Sequence, residues 1–231
     1  RNDQAVAYVT SSLPQISVID TKTNTIVDTE TVANTGRVAV SRDGTRVYIP
    51  DLFGNGGTGS LSVFTADAIT GALTPDPVTP TVITPSPFDA EFSPDGSRLY
   101  VVSFSDNTLR ILETVTNTFI ATVGPFGDGL ITVAVNPAGT RVYVGSLNDA
   151  KTYVFDGDGN ALGFFSAYFE TAVIGDGSAF ATGYYEPEIN ASRTLQSGYY
   201  VPIYRRPPDL IEVDLGQFSE SLKGKKIRGR V

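Results

Sequence analysis

From Phe88 onward the chain sets apolar Phe88, Ala90 and Phe92 against polar Asp89 and Glu91, breaks at Pro94-Asp95-Gly96, and resumes as Arg98 to Val102. A period of two over short runs predicts strands, and Asp-Gly between two such runs predicts a tight hairpin, because Gly tolerates the positive φ that the turn demands. A third strand is expected at Thr108 to Leu112, after Ser105-Asp106-Asn107, and a fourth at Thr118 to Val123, after Thr116-Asn117. The unit is a four-stranded antiparallel meander.

The pattern returns. Val38 to Ile49 (VAVSRDGTRVYI) and Val133 to Val144 (VAVNPAGTRVYV) repeat it, and the turn glycines Gly44, Gly96 and Gly139 stand 52 and 43 residues apart, with a degenerate copy at Gly177 a further 38 on. Units of that size cannot bury an apolar face alone and must stack on one another. Radial stacking of such sheets gives a β-propeller. A β-sandwich also has short strands and frequent turns, but it does not require the sequence to repeat. The expected fold is therefore all-β, a β-propeller of four-stranded antiparallel blades.

Tyr8-Val9-Thr10, Ile16 to Thr21 and Thr23 to Val27 resemble the YVTN-type β-propeller repeat family, and Leu61 to Leu73 is similar to a block of the lactonase-type seven-bladed propellers. The resemblance runs from residue 5 to 156 and fades after about residue 185. It implies that the strand before each Asp-Gly turn is innermost. Residues 1–184 then hold blades one to early five, 185–208 a Tyr/Pro-rich insertion, and 209–231 the end of the last blade with a basic terminus. Nineteen strands result where five whole blades need twenty, so the inner strand of the first blade must come from elsewhere, within a larger ring or from another chain. The sequence contains no Met, and it is expected to be a processed or excised segment.

Composition narrows the chemistry. With no Cys and no His, thiolate nucleophiles, Ser-His-Asp and Cys-His triads, and zinc sites are excluded. No disulfide is possible. A net charge of −8 argues against nucleic acid as a partner, and the five cations after Glu220 read as a charged, protected edge. No apolar run approaches the roughly 18 residues of a helical membrane span. YVTN-type relatives imply an extracellular or cell-surface protein, and Asn190-Ala191-Ser192 is a glycosylation sequon.

Several local motifs read as structure. Asp51 to Ser60 is rich in Gly but lacks the Gly-Lys-Ser/Thr that phosphate binding uses, so a loop is expected. Pro75 to Pro87 carries five prolines and cannot be a central strand; it reads as an insertion at the edge of blade two. Asp156-Gly157-Asp158-Gly159-Asn160 resembles half of a calcium loop, but Ala161 and Ala167 stand where Gly and Glu are required, so a hairpin turn is expected. No metal, cofactor or catalytic residue is assigned.

Family analogy puts the ligand-facing loops at Arg37, Phe88, Asp89, Asp106, Asn107, Asp128 and Asn148, around the channel mouth. Asp89 and Asp128 precede innermost strands, where carboxylates also cap strands and form turns. Tyr184, Tyr185, Tyr199, Tyr200 and Tyr204 have the composition of an interface and are expected either to pair as a hairpin or to pack on a partner. The first functional expectation is a non-enzymatic surface scaffold that binds a protein or a surface polymer. The alternatives are a lactonase-like hydrolase of sugar or aromatic lactones, and a subunit of a surface assembly completed by strand exchange.

Overall fold

The computed structural model describes residues 6–10, 13–32, 36–52, 59–76, 86–166, 171–174, 179–182, 210–214 and 226–230. Among them are strands and turns and no α-helix. The first sheet has three strands, β1 (Val6–Thr10), β2 (Gln15–Asp20) and β3 (Thr25–Thr31). The second has four, β4 (Ala39–Val40), β5 (Arg46–Asp51), β6 (Ser60–Ala66) and β7 (Leu73–Pro75). The third runs β8 (Pro87–Phe92), β9 (Arg98–Ser103), β10 (Leu109–Glu113) and β11 (Thr118–Val123). The fourth runs β12 (Leu130–Val135), β13 (Val142–Ser146), β14 (Lys151–Phe155) and β15 (Ala161–Ser166). Two further pairs follow, β16 (Thr171–Ile174) with β17 (Ala179–Thr182), and β18 (Leu210–Asp214) with β19 (Lys226–Arg230). Every pairing is antiparallel and joins strands consecutive in sequence, as a meander requires.

The hairpin turns are built alike because the sequence repeats. Gly44, Gly96 and Gly139 have φ of 72°, 74° and 69°, and each donates its N–H to the carbonyl of the residue three earlier at 2.8 Å. Only Gly takes that conformation cheaply. The Ser93 hydroxyl donates to Asp95 at 2.6 Å and accepts from Arg98 N at 2.9 Å, and Ser41 treats Asp43 and Arg46 in the same way. These bonds hold the Asp43 carboxyl down at about 2 and lower that of Asp95. The Asp156 turn follows the same logic, since its carboxylate accepts from Asp158 N, Asn160 N and the Asn160 amide.

Alternation then decides where the core forms. In the second and third sheets one face packs on the sheet before and the other on the sheet after, so apolar clusters lie between sheets rather than at one centre. Ile16 and Val18 meet Val47, Ile49 and Phe64 between the first and second sheets. Tyr48, Leu61 and Val63 meet Ala90, Phe92, Leu99 and Leu112 between the second and third. Tyr100, Val102 and Ile111 meet Leu130, Val142 and Val144 between the third and fourth. Second strands such as β5 and β9 are buried on both faces, whereas the fourth strand β11 is half open to water. Each fully buried Leu, Val or Ile contributes roughly 1.5–3 kcal/mol.

A tyrosine, on β1 in the first sheet and on the second strand in the second and third, fastens each of these sheets to the next. Tyr8 donates to Gly71 O at 3.0 Å, Tyr48 to Asn117 Oδ1, and Tyr100 to Gly157 O at 2.8 Å. Each acceptor lies in the turn between the third and fourth strands of the following sheet. Arginine assists two residues earlier in the later sheets: Arg46 donates to Thr114 O at 3.4 Å, and Arg98 to Asp158 Oδ1 at 2.7 Å and to Gly157 O. First strands are also neighbours in sequence of sheets, with β4 and β5 against β8, β8 against β12, and β12 against β16.

The glycine-rich run at 53–58, the proline-rich run at 77–85, the sequon, and Tyr184, Tyr185, Tyr199, Tyr200 and Tyr204 lie outside the described residues. β16–β17 and β18–β19 form separate sheets, where the sequence led us to expect one blade shared among the four strands.

Candidate functional site

At the rim opposite the Asp-Gly turns, the residues leading into the first strands meet the loops that follow the second strands. Arg37, Phe88 and Asp89 form one group there. Arg37 N donates to Phe88 O at 3.2 Å, and the Arg37 guanidinium sits 3.7 Å from Asp89 Oδ2. Beside them Gly36 N donates to Pro50 O at 2.6 Å, and a Cβ on Gly36 would come within 2.6 Å of Phe88 O, so only Gly permits this approach.

Asp89 is buried and fully engaged. Its Oδ1 accepts from Ala90 N at 2.9 Å and its Oδ2 from Val133 N at 3.0 Å, with the Thr132 hydroxyl also bonded to it. Burial raises its carboxyl to about 6, against the opposing pull of Arg37 and the amides. The residue therefore ties β8 to β12 and to the lead-in of β4. Two positions along the same strand face, Glu91 is open to water yet ringed by protein atoms. That crowding, with the Asp89 charge, lifts its carboxyl to about 7.

A second group adjoins the first through the Phe88 and Phe104 rings, whose centroids are 6.3 Å apart. Asn107, at φ 55°, accepts from Gly129 N through Oδ1 at 2.7 Å and from Phe126 N through its carbonyl at 3.0 Å. Asp128 accepts from Asn148 N at 3.0 Å through its backbone carbonyl, while its N–H and carbonyl are both bonded to the Ser146 hydroxyl. A Cβ on Gly129 would lie 3.0 Å from the Phe104 ring and 3.1 Å from Asn148 Nδ2, so Phe104, Gly129 and Asn148 converge. Asp106 is turned back onto its own hairpin, accepting from Thr108 Oγ1 at 2.8 Å with Arg110 3.8 Å away.

Six of the seven mouth residues thus fall into two adjoining groups, and Asp106 stands aside. Sequence reading missed Glu91 and Phe104. Strand alternation would have found Glu91, which is two residues from Asp89, and Phe104 shares its loop with Asn107. A groove of about 590 Å³ opens at the other rim, lined by Arg42, Arg46, Phe92, Asp95 and Val115. Its carboxylates are spent on their own turns, and it is the gap between the second and third sheets.

The mouth can hold a ligand through the exposed Phe104 ring, the half-buried Phe88 ring, the Asn148 amide and the Asp128 carboxylate. Both oxygens of the Asp89 carboxylate are already bonded to backbone amides. Among the described residues no cluster of three potential metal-ligating side chains occurs, and no helix is long and apolar enough to cross a membrane.

Comparison with known proteins gives the fold company. A model of the MltA specific insert domain matches residues 180–231, a stretch that begins close to where the repeat fades. Comparison with curated proteins finds no match. Hydrazine synthase of Kuenenia stuttgartiensis is similar in structure at a TM-score of 0.58 and 16% identity, over 74% of this chain and 48% of that one. A functionally unknown protein from Desulfotomaculum acetoxidans DSM 771 is similar at a TM-score of 0.63 and 18% identity, over 77% of this chain and 58% of that one. The chain spans about half the length of these neighbours, and identities this low establish a shared fold and nothing of its chemistry.

Proposed function

We propose that the chain is a propeller-like array of sheets of YVTN type that acts at the cell surface or outside the cell as a non-enzymatic binding scaffold, with its ligand at the mouth formed by Phe88, Phe104, Asn148, Asp128 and Arg37. The observation that carries this reading is the state of Asp89. The buried Asp89 carboxylate is consumed by two backbone amides, a hydroxyl and Arg37, so it serves as a clasp between sheets and not as a base or nucleophile. The adjacency of successive first strands supports a radial arrangement, since that is how inner strands meet around an axis. The match at 180–231 supports treating the C-terminal segment as a unit distinct from the repeats.

A surface polymer or an extended protein segment suits the exposed Phe104 ring beside Phe88, flanked by amide and carboxylate groups, because rings supply area and planar polar groups supply direction. Binding of the chain to cell-surface polysaccharides and proteins, measured by pull-down and calorimetry, is expected to weaken at least tenfold in Phe104→Ala and Asn148→Ala. A panel of sugar and aromatic lactones is expected to remain unhydrolysed. Lactone turnover that Glu91→Gln abolishes would replace this reading with the hydrolase.

A further inference from the structure

At the Asp-Gly rim, the gap between the second and third sheets and the gap between the third and fourth are copies of one another that differ in charge. The later one holds about 280 Å³, with Arg98, Tyr100 and Gly157 on its walls. The earlier one holds about 590 Å³, with Arg42, Arg46, Phe92, Pro94, Thr114 and Val115 among its lining.

Strand register makes the two comparable residue by residue. Glu113 pairs with Arg98, and Asp156 follows Phe155, which pairs with Val142 just after Arg141. Thr114 therefore takes the place of Gly157, and Val115 that of Asp158. The backbone contacts match: Arg98 donates to Gly157 O, and Arg46 donates to Thr114 O at 3.4 Å.

What differs is the carboxylate. Arg98 donates to Asp158 Oδ1 at 2.7 Å. At the corresponding point of the larger gap stands Val115, an apolar side chain 83% exposed, while the Asp76 carboxylate, on the same sheet as Arg46, lies 3.7 Å from its guanidinium. A second cation is added, because Arg42 occupies the place of Pro94 and Pro137 in the other turns; it is exposed and makes a long bond to Pro94 O at 3.5 Å. The Asp43 and Asp95 carboxylates beside the gap accept from hydroxyls and amides of their own turns. The larger gap thus has two guanidinium groups and lacks the turn carboxylate that its sister supplies from within.

We propose that the gap between the second and third sheets binds an acidic peptide segment of a partner protein, whose Asp or Glu carboxylate takes beside Arg46 and Arg42 the position that Asp158 holds beside Arg98. The occupant is a peptide because the sister gap is filled by one, the Gly157-Asp158-Gly159 turn, and because the larger volume leaves room for a segment of chain against Pro94 and Val115. Exposed cations around a carboxylate bind weakly and through charge, so affinity falls as salt rises. The site lies at the rim opposite the mouth and is independent of any ligand there.

Nuclear magnetic resonance titration of the full chain at low salt tests it, with the end-blocked peptide Gly-Asp-Gly, a copy of residues 157–159, and its Gly-Asn-Gly counterpart. Saturable shifts of the Arg42, Arg46 and Val115 amide signals are expected with the first and none with the second. The shifts are expected to fade by about 0.5 M salt, where charges are screened within a few ångströms. Val115→Asp, which installs the missing carboxylate, is expected to abolish binding, Val115→Asn to keep it, and Arg42→Gln to weaken it about threefold, all with the circular dichroism of wild type. Absence of a saturable shift in wild type overturns the proposal, as do equal responses to the two peptides or undiminished binding in Val115→Asp. Acetate that binds as tightly as Gly-Asp-Gly also overturns it, and identifies a small-anion site instead.

Discussion

Two carboxylates on β8 carry charge where the fold disfavours it. Asp89 is raised to about 6 by burial, and Glu91 to about 7 by crowding and by Asp89 itself. In the unfolded chain both have ordinary values near 4. Between the ordinary and raised values the folded state binds more protons than the unfolded one, so stability falls as pH rises from about 4 to about 7 and is level above that. Asp43, held at about 2, acts in the opposite sense, and its contribution is lost only as pH falls from about 4 towards 2. Thermal melts are therefore expected to show a midpoint a few degrees higher at about pH 5 than at pH 7.5. Glu91→Gln is expected to raise the midpoint at pH 7.5 and flatten the slope. A midpoint that climbs steadily from pH 5 to 7.5 would show that other groups govern the dependence.

The tyrosine clasp belongs to the scale of elements, since it is what makes separate sheets act together. Its copies are not equivalent. Tyr48 and Tyr100 are both buried, but the Tyr48 hydroxyl donates to the buried Asn117 side chain and accepts from Arg46 at 3.3 Å. At Tyr100 the same carbonyl, Gly157 O, is also held by Arg98. Removing a hydroxyl costs about 1 kcal/mol for the bond, and a further 1–3 kcal/mol where a buried partner is left unsatisfied. Tyr48→Phe is therefore expected to destabilise by about 2 kcal/mol and Tyr100→Phe by less than about 1 kcal/mol in urea unfolding. Equal losses would mean that Arg98 does not share the carbonyl in solution.

For the whole molecule, stability is distributed over interfaces between neighbouring sheets, each with its own apolar cluster. Such a stack is stabilised by nearest-neighbour contacts and tolerates change at its ends better than in its middle. The segment from residue 183 begins near the start of the insert-domain match, and among the described residues β18 and β19 pair only with each other. A chain ending at residue 182 is accordingly expected to keep the main unfolding transition within about 2 kcal/mol, by denaturant titration followed in the far ultraviolet. Collapse of that transition would place residues 183–231 inside the stack.

Strand positions, the hairpin turns and the all-β class were legible from the residues alone, because they depend on local rules: alternation selects a strand, and Asp-Gly selects a turn. Phe88 to Leu112 determined its strands and its positive-φ Gly96 without reference to anything distant. Tertiary structure alone decided that Asp89 closes a bond network across three sheets, that Phe88 meets Phe104, and that Asp106 turns away from the mouth. It also decided that Tyr8, Tyr48 and Tyr100 perform one task. The physical reason is reach. A side chain's alternation is fixed by its immediate neighbours, whereas its bonding partner, its burial and hence its charge depend on which sheet stacks against it, tens of residues away in the chain.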